Sequence, residues 1–454
     1  MFKKVLIANR GEIAVRVIRA CRELGIGTIA VYSQADADSL HVKLADEAYC
    51  IGPAEPAKSY LNMAAIISTA EVTGAEAIHP GYGFLAENAQ FSQMCLDHNI
   101  TFIGASPENI RMMGDKNTAK KTMQKFKVPV VPGSDGLITS EKELLACVKK
   151  TGLPVIIKAS AGGGGKGMRV VREMDELVDQ YQIAIREATA AFGNGDVYLE
   201  KYVEEPRHVE IQILSDAQGN AIYLGERDCS IQRRHQKLIE EAPSPVLDEK
   251  LRKKMGEAAV RAAKAIRYEG AGTVEFLVDK RRDFYFMEMN TRIQVEHPVT
   301  EMVTRINLVR EQIKIAFNKK LDLRQKDVIL EGHAIEFRIN AEDHLKNFMP
   351  MAGKINLYLP SGGFGVRVDS HMYPGYSVPP YYDSLLGKLI VWGTDRADAI
   401  ARGKRALDEF ILDGLPTTIP FHQYVLNHPA FVDGRYDTGF VDRVLSKEFK
   451  GGST

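Results

Sequence analysis

Glu288, Asn290, Arg292, Gln294 and Glu296 recur at every second position, with Met287, Met289, Ile293 and Val295 around and between them. In an extended chain, residues two apart share a face, so the five polar groups would form one wall. An ordinary exposed strand face would read the same way. Pro298 and the apolar alternate positions favour the wall of a site. Such a wall puts a carboxylate, Glu296, within reach of a guanidinium, Arg292, giving a general base beside an anion clamp. Asn290 would add an amide oxygen for a cation.

A second pair of carboxylates lies on a predicted hairpin. Thr273–Val278 and Phe284–Met289 read as strands, with Lys280–Asp283 between them as a turn that lacks glycine. A turn centred there sets Glu275 directly opposite Glu288. Facing like charges about 5 Å apart destabilise a strand pair, and a divalent cation would compensate. Oxygen-only ligands suit Mg²⁺ or Mn²⁺, in sites that usually include nucleotide phosphates. The alternative is a different register, with both carboxylates solvated.

Two further segments suit anions. Pro154–Ala159 reads as a strand that runs into Ser160-Ala161-Gly162-Gly163-Gly164-Gly165-Lys166-Gly167, and Met168–Val171 as the next strand. Successive glycines let backbone N–H groups turn toward an anion. The spacing fails the Walker A pattern, since Ser160 stands at the first glycine position and Gly167 follows the lysine. The run is either a flexible hairpin or a flap over phosphates, with Lys158 pointing into the site. Arg227–Lys237 is densely cationic and is closed by Glu240-Glu241. A charge run of this kind is normally solvated surface, but Gln232, His235 and Lys237 are the types an anion site needs. Lys116 follows Asp115, a plausible N-cap, at a predicted helix start suited to phosphate.

The elements that must carry these groups begin with strand and helix in alternation. Val5–Ala8, Thr28–Tyr32, Ala48–Ile51, Ala77–His79 and Thr101–Ile103 read as strands. Ile13, Ala14, Val17, Ile18, Cys21 and Leu24 recur at helical spacing, and a further helix is expected near Tyr60–Thr73. This alternation predicts βαβ units and a parallel, doubly wound sheet. The first turn, Asn9-Arg10-Gly11-Glu12, lacks G-x-G-x-x-G, which argues against a dinucleotide site. Val128-Pro129 and Val131-Pro132-Gly133 mark a boundary. A smaller α/β module follows to about residue 203, and strands then dominate, with helices near Glu249–Ile266, Arg305–Phe317 and Asp395–Leu412.

Composition bounds the function. The 454 residues carry 59 Lys+Arg and 59 Asp+Glu, a formal net charge of zero. That argues against holding nucleic acid or an anionic membrane by bulk charge. Five dispersed cysteines without a C-x-x-C pair fit a reducing compartment and give no zinc framework. The apolar run after Met1 stops at Asn9, too short for a signal peptide. The expected location is cytoplasmic, with no membrane or nucleic-acid partner.

Ile7–Ala14, His79–Asn88, the glycine run, Gln232–Lys237 and Glu288–Pro298 together resemble biotin carboxylase, an ATP-grasp family, over essentially the full length. The last string, E-M-N-T-R-I-Q-V-E-H-P, is the most specific, because other ATP-grasp ligases keep the metal carboxylate and Asn without the R-x-Q-V-E-H continuation. The resemblance implies an ATP-grasp fold, α/β and α+β. Its parts would be an N-terminal domain at residues 1–113, a linker at 114–133, a glycine-loop lid at 134–203, an ATP-grasp core at 204–330, a C-terminal domain at 331–447 and a tail at 448–454.

The resemblance also implies site roles. Lys116 and Lys158 would bind phosphates and Gly164 and Gly165 would cover them. Glu200, Lys201, Tyr202 and Val203 would hold adenine, while His208, Gln232 and His235 would complete the nucleotide site. Glu275, Glu288 and Asn290 would bind two Mg²⁺ or Mn²⁺ ions, with both carboxylates counted in the ATP site. Bicarbonate would lie on Lys237, Arg292, Gln294 and the backbone of Val295, with Glu296 as base. Arg338 would stabilise the biotin oxygen, and Tyr82 would touch biotin. No Met-Lys-Met, the usual biotin attachment sequence, occurs. The chain is therefore expected to be a free-standing subunit that meets biotin on a separate carrier protein, and the resemblance implies a homodimer. Carboxyltransferase subunits would follow, of acetyl-CoA carboxylase first, or of a pyruvate or propionyl-CoA carboxylase.

Overall fold

The computed structural model describes residues 1–160 and 168–447, in two compact units. The larger comprises Met1–Val128, Arg207–Phe276 and the chain from Glu288 onward; the smaller comprises Pro129–Pro206 and Leu277–Met287.

In the larger unit, β1 (Lys4–Ile7), β2 (Gly27–Ser33), β3 (Glu47–Gly52), β4 (Ala77–His79) and β5 (Thr101–Phe102) form an all-parallel sheet in the order β3-β2-β1-β4-β5. Val5, Leu6 and Ile7 are fully buried, as expected of strands covered on both faces. The helix Gly11–Glu23 follows β1 and buries Ile13, Ala14, Val17, Ile18 and Cys21. The expected helix near Tyr60 begins instead at Met63, because Asn62 caps it by accepting from the Ala65 N–H at 3.1 Å. The order in which strands are added to the sheet reverses between β1 and β4. The crevice beyond the carboxyl ends of such strands is the usual ligand position in a doubly wound sheet. At that point Gly81, with φ of 63°, passes so close to Asn9 that an added Cβ would lie 2.9 Å from its amide nitrogen.

A second sheet carries most of the predicted chemistry. Its strands are β9 (Arg207–Ser215), β10 (Ala221–Arg233), β11 (Gln236–Ala242), β12 (Gly270–Val278), β13 (Phe284–Asn290), β14 (His333–Asn340), β15 (Val366–Ser370) and β16 (Leu385–Gly393). The order is β13-β12-β9-β10-β11-β14-β16-β15. β10 and β11 are joined by Arg234-His235, both with positive φ (49° and 66°), the backbone a two-residue hairpin requires. Ile239 pairs with Phe337, Glu240 with Glu336, and Arg338 with Lys388. Odd positions such as Ile239, Ile335, Phe337 and Ile339, with Leu389 and Val391, enter one apolar core. Even positions present Glu240, Glu336, Arg338 and Lys388 on the opposite face. The helix expected at Asp395–Leu412 runs Arg396–Glu409, capped by Asp395, and Ile411–Asp413 is a short strand.

Two expectations about the carboxylate region need correction. The turn is three residues, not four: the Asp279 N–H donates to the Asp283 carbonyl at 2.9 Å, leaving Lys280, Arg281 and Arg282 outside, with Arg282 at φ of 66°. The Asp279 carboxylate accepts from the N–H groups of Arg281 and Asp283, which lets the turn form without glycine. This moves the turn by half a step from the one that would set Glu275 directly opposite Glu288. Along β13 the buried positions are Phe284, Phe286 and Met289, so the in–out alternation slips at Met287–Glu288. The polar wall is also not one extended face. β13 ends at Asn290, the chain bends through Thr291–Val295, and Glu296 is the N-cap position of the helix His297–Thr304.

The smaller unit holds an antiparallel sheet of β6 (Val155–Ala159), β7 (Met168–Val171) and β8 (Val197–Lys201), ordered β7-β6-β8. The helices Glu141–Thr151 and Leu177–Phe192 close its core around Leu144, Val148, Ile157, Val171 and Leu199. The glycine run, with Gly164 and Gly165, lies outside the described residues. Among the described residues, no helix is long and apolar enough to cross a membrane.

Leu389 is fully buried in the core shared by β14, β15 and β16. Leu389→Ala should lower unfolding stability by about 2–5 kcal/mol, measured by urea denaturation; a loss below about 1 kcal/mol would show that this face can collapse around the cavity.

Candidate active site

The centre of the site is Lys237 on β11. Its ammonium donates to Glu210 at 2.6 Å, Glu275 at 3.1 Å and Glu296 at 2.5 Å. An ammonium has three N–H donors, so three carboxylates use all of them. Burial pushes its pKa down, but Glu210, Glu275 and Glu296 outweigh burial and hold it well above the ordinary lysine value.

Glu296 is clamped on both oxygens. Oε1 accepts from Lys237, and Oε2 accepts from Arg338 at 2.9 Å. Burial favours the neutral acid, but Lys237, Arg338 and Arg227 hold Glu296 well below the usual carboxylate range. Arg338 in turn donates through Nε to Glu240 at 2.6 Å.

Glu275 collects donors from the bent segment. Its Oε1 accepts from Gln294 at 2.6 Å and Asn290 at 2.8 Å as well as from Lys237, and Oε2 lies 2.8 Å from His208 Nε2. Arg227, fully buried, donates to Gln294, Gln212, Glu210, Thr300 and Thr273. That guanidinium ties β9, β12 and the bent segment together, so Gln294 presents its nitrogen to Glu275. Arg292 donates to Asn290 at 3.1 Å and to Glu87 at 2.8 Å, while Glu87 also accepts from the Thr291 N–H. Glu87, from the His79–Asn88 string, thus fastens the bend that the polar wall requires.

Lys237, Glu275, Glu296, Gln294, Asn290, Arg292, Arg338 and His208 are brought together by these contacts. Gln232 lies beside them, its amide 3.3 Å from His208 Nδ1. His235 is exposed on the β10–β11 turn, one strand pair beyond the facing Gln232 and Lys237. Lys116 follows Asp115, which does cap its helix by accepting from Thr118 at 2.7 Å; the ammonium is 3.7 Å from Glu288. Val295 places its carbonyl 2.8 Å from Lys388, a fully buried lysine also 3.1 Å from Glu12. Tyr82 donates to that same Glu12. Tyr82 and Glu12 line a cleft of about 310 Å³ with Asn9, Arg10, Tyr382 and Asp383, at the β1–β4 reversal. In the smaller unit, Lys158 pairs with Glu200 at 2.6 Å, Lys201 donates to the carbonyls of Gly152 and Leu153, and Tyr202 stacks under Arg172. Val203 follows them, half-buried.

The residues present fit a divalent cation. Burial and the nearby Glu275 charge both push the Glu288 carboxyl up from its ordinary value, a cost that a cation between them would remove. The donor set is oxygen-only, as Mg²⁺ or Mn²⁺ requires. Asn290 now turns its amide nitrogen to Glu275, and a rotation of that amide would offer the oxygen. The tight grouping of His208, Glu210 and Glu275 is accounted for by the Lys237 ammonium between its carboxylates.

Sequence reasoning missed Glu210, Arg227, Glu240, Lys388 and the pairing role of Glu87. The signal for Glu210 was present, since His208, Glu210 and Gln212 alternate along an otherwise apolar strand.

Family models match three stretches: Biotin carboxylase, N-terminal domain, at residues 1–110; Carbamoyl-phosphate synthase L chain, ATP binding domain, at 115–324; and Biotin carboxylase C-terminal domain, at 336–443. A biotin carboxylase of Nostoc sp. is 62% identical over 443 residues, covering 98% of this chain and 99% of the relative. The chain belongs to the biotin carboxylase family. It is accordingly an ATP-grasp ligase, built on the α/β and α+β architecture of that family. A pyruvate carboxylase subunit of Methanothermobacter thermautotrophicus is 56% identical over 442 residues, covering 97% of this chain and 90% of the relative. The solved biotin carboxylase domain dimer of Hydrogenobacter thermophilus 2-oxoglutarate carboxylase, bound to MgADP, ADP and bicarbonate, superposes with TM-score 0.89 at 51% identity, covering 98% of both chains.

Replacing Glu288 by lysine should remove metal-dependent nucleotide binding. Isothermal titration of MgADP should show at least about a tenfold weaker Kd, and undiminished binding would move the cation away from Glu288.

Proposed function

We propose that the chain carboxylates biotin carried on a separate biotin carboxyl carrier protein, using ATP and bicarbonate, as the first half-reaction of acetyl-CoA carboxylase. The observation that carries this reading is Glu296 held between Lys237 and Arg338, beside Gln294 and Arg292. A carboxylate paired with two cations is a poor base while it owns both. An arriving bicarbonate competes for Lys237, Arg292, Gln294 and the Val295 N–H, and the share of positive charge left to Glu296 falls. Its proton affinity then rises where the bicarbonate proton must go.

The resulting carbonate attacks the γ-phosphate of ATP, giving carboxyphosphate and ADP. Carboxyphosphate breaks to CO₂ and phosphate, and phosphate takes the proton from the biotin ureido nitrogen. That nitrogen then bonds CO₂, while Arg338 stabilises the enolate-like biotin oxygen and Tyr82 flanks the ring. Glu275, Glu288 and Asn290 would hold two Mg²⁺ or Mn²⁺ ions, which neutralise charge on the transferring phosphoryl group. Lys116, Lys158, Gly164 and Gly165 would bind phosphates. Glu200, Lys201, Tyr202 and Val203 would receive adenine, with His208, Gln232 and His235 completing the nucleotide site.

In this reading residues 1–113 form the N-terminal domain, 134–203 the lid after a linker at 114–133, 204–330 the ATP-grasp core, and 331–447 the C-terminal domain before a short tail. The enzyme works as a cytoplasmic homodimer that hands carboxybiotin to carboxyltransferase subunits, supplying malonyl-CoA for fatty acid biosynthesis. The likeness to a pyruvate carboxylase subunit supports a second parent complex, because the acyl acceptor is chosen by a different component of the complex. Offering the purified chain the carrier proteins of both complexes would separate the two.

ATP hydrolysis with bicarbonate should rise when free biotin is added, with carboxybiotin formed; neither effect would end this reading. Glu296→Ala should cut bicarbonate-dependent turnover by about 100-fold or more while ATP still binds, and unchanged turnover would remove Glu296 from the base role.

A further inference from the structure

One buried pair behind the site has no part in the chemistry above. Glu240 and Glu336 are directly opposite across β11 and β14, and both are fully buried. Opposite residues put their side chains on one face with Cβ atoms about 5 Å apart. Glu240 Oε1 accepts from Arg338 Nε at 2.6 Å, whereas Glu240 Oε2 and both oxygens of Glu336 have no hydrogen-bond partner. Ala242, Val299, Val303, Ala334 and Ile390 pack as an apolar cluster around the same stretch of β11, β14 and β16, with Ile390 opposite Glu336. Two carboxylates cannot both ionise in such a place.

The charges that face the pair decide which member keeps the proton. Arg338 lies two residues along β14 from Glu336 and commits its Nε to Glu240. Lys388, on β16, attracts Glu336 but is bonded to the Val295 carbonyl and paired with Glu12. Glu296 and Lys237 act on Glu240 with opposite signs. From the helix packed over β14, His297 is kept neutral by burial and by Lys388, and Glu301 is paired with Arg16 and Arg367. From β10, burial keeps the Cys229 thiol neutral. Glu336 therefore stays protonated: burial drives it well above the ordinary value, Lys388 only partly opposes, and Glu240 adds to the rise. Glu240 is pushed up to about 7 by burial, with Arg338 opposing and Glu296 adding.

We propose that Glu240 and Glu336 form a carboxyl dyad that holds one proton at neutral pH and positions Arg338 through its anionic member, Glu240. The proposal rests on the assignment of Arg338 to the biotin oxygen. Arginine does not give up its proton, so the dyad is not a relay to Glu296. Above pH 7 Glu240 is charged and anchors the guanidinium. As pH falls through that value Glu240 takes a proton, the charge-assisted bond weakens, and Arg338 is held by Glu296 alone. Glu240 and Glu336 are thus positioning residues rather than groups that touch substrate.

Two measurements test this on the full chain. Infrared spectra of the wild type at pH 8 should show the stretch of a buried neutral carboxyl, and Glu336→Gln should lose it; absence of that band in the wild type would overturn the dyad. Biotin-dependent carboxylation at saturating bicarbonate and MgATP should show an acid limb near pH 7. Glu240→Gln should flatten the limb and run throughout at the wild type's low-pH rate, with kcat at pH 8 down about tenfold, while Glu240→Asp should restore a limb. A limb that persists in Glu240→Gln would remove Glu240 from positioning Arg338. A wild type without biotin-dependent turnover would sink the proposed function instead, with the infrared band still deciding the dyad.

Discussion

Lys237 places one ammonium against the carboxylates of Glu210, Glu275 and Glu296 where little water reaches. Burying three carboxylates together costs far more than a fold of this size can spare unless cations share the space. Lys237, Arg227 and Arg338 supply them, and each reaches its partners from a different strand. Removing any one would leave an uncompensated charge. The sheet order β12-β9-β10-β11-β14 follows from this requirement as much as from backbone pairing. Neighbouring strands must each deliver polar side chains to the site while apolar residues of the same strands fill the core behind.

The same constraint explains which parts of the site could be read from the sequence. Alternation along a single strand is visible in sequence, so Glu288, Asn290 and the apolar positions around them point to a site wall. The hairpin carrying Glu275 and Glu288 is visible too, because two apolar alternating runs flank a short polar gap. What the sequence cannot show is a one-residue slip. The Asp279 carboxylate closes a three-residue turn, and the alternation of β13 shifts at Met287–Glu288. Both are local hydrogen-bond choices with no hydrophobic periodicity behind them. Likewise, period two continues in sequence through Glu296, although the chain has left the strand at Asn290. Glu87 and Arg227 hold the bend that replaces the extended face, and they are contributed from 205 and 67 residues away along the chain, to Arg292 and Gln294 respectively.

Long-range partners were legible only where they share a motif. Glu240 follows the cationic run and reads as its acidic close, yet it is the anchor of Arg338, which lies 98 residues further on. Lys388 sits in an apolar strand with no flanking polar pattern, and its burial against Val295 and Glu12 is set by strand pairing alone. The parallel sheet, by contrast, follows from short contiguous apolar runs and helical spacing. There the sequence-based boundaries differ from the structure by a few residues, for reasons as local as the Asn62 cap.

The cations of the larger unit's site, Lys237, Arg292 and Arg338, are already bonded to carboxylates of the chain itself. An anionic substrate therefore enters by exchange rather than by filling an empty positive pocket. The entering anion adds a negative charge to the site and draws cation contacts away from Glu296, and that is the condition under which a deeply depressed Glu296 can regain proton affinity. It also explains how a chain with no net charge can be built for anions. The positive groups are balanced in place by carboxylates that later take a proton, hold a cation or fix a guanidinium, so long-range attraction is small and selectivity rests on the geometry of the exchange.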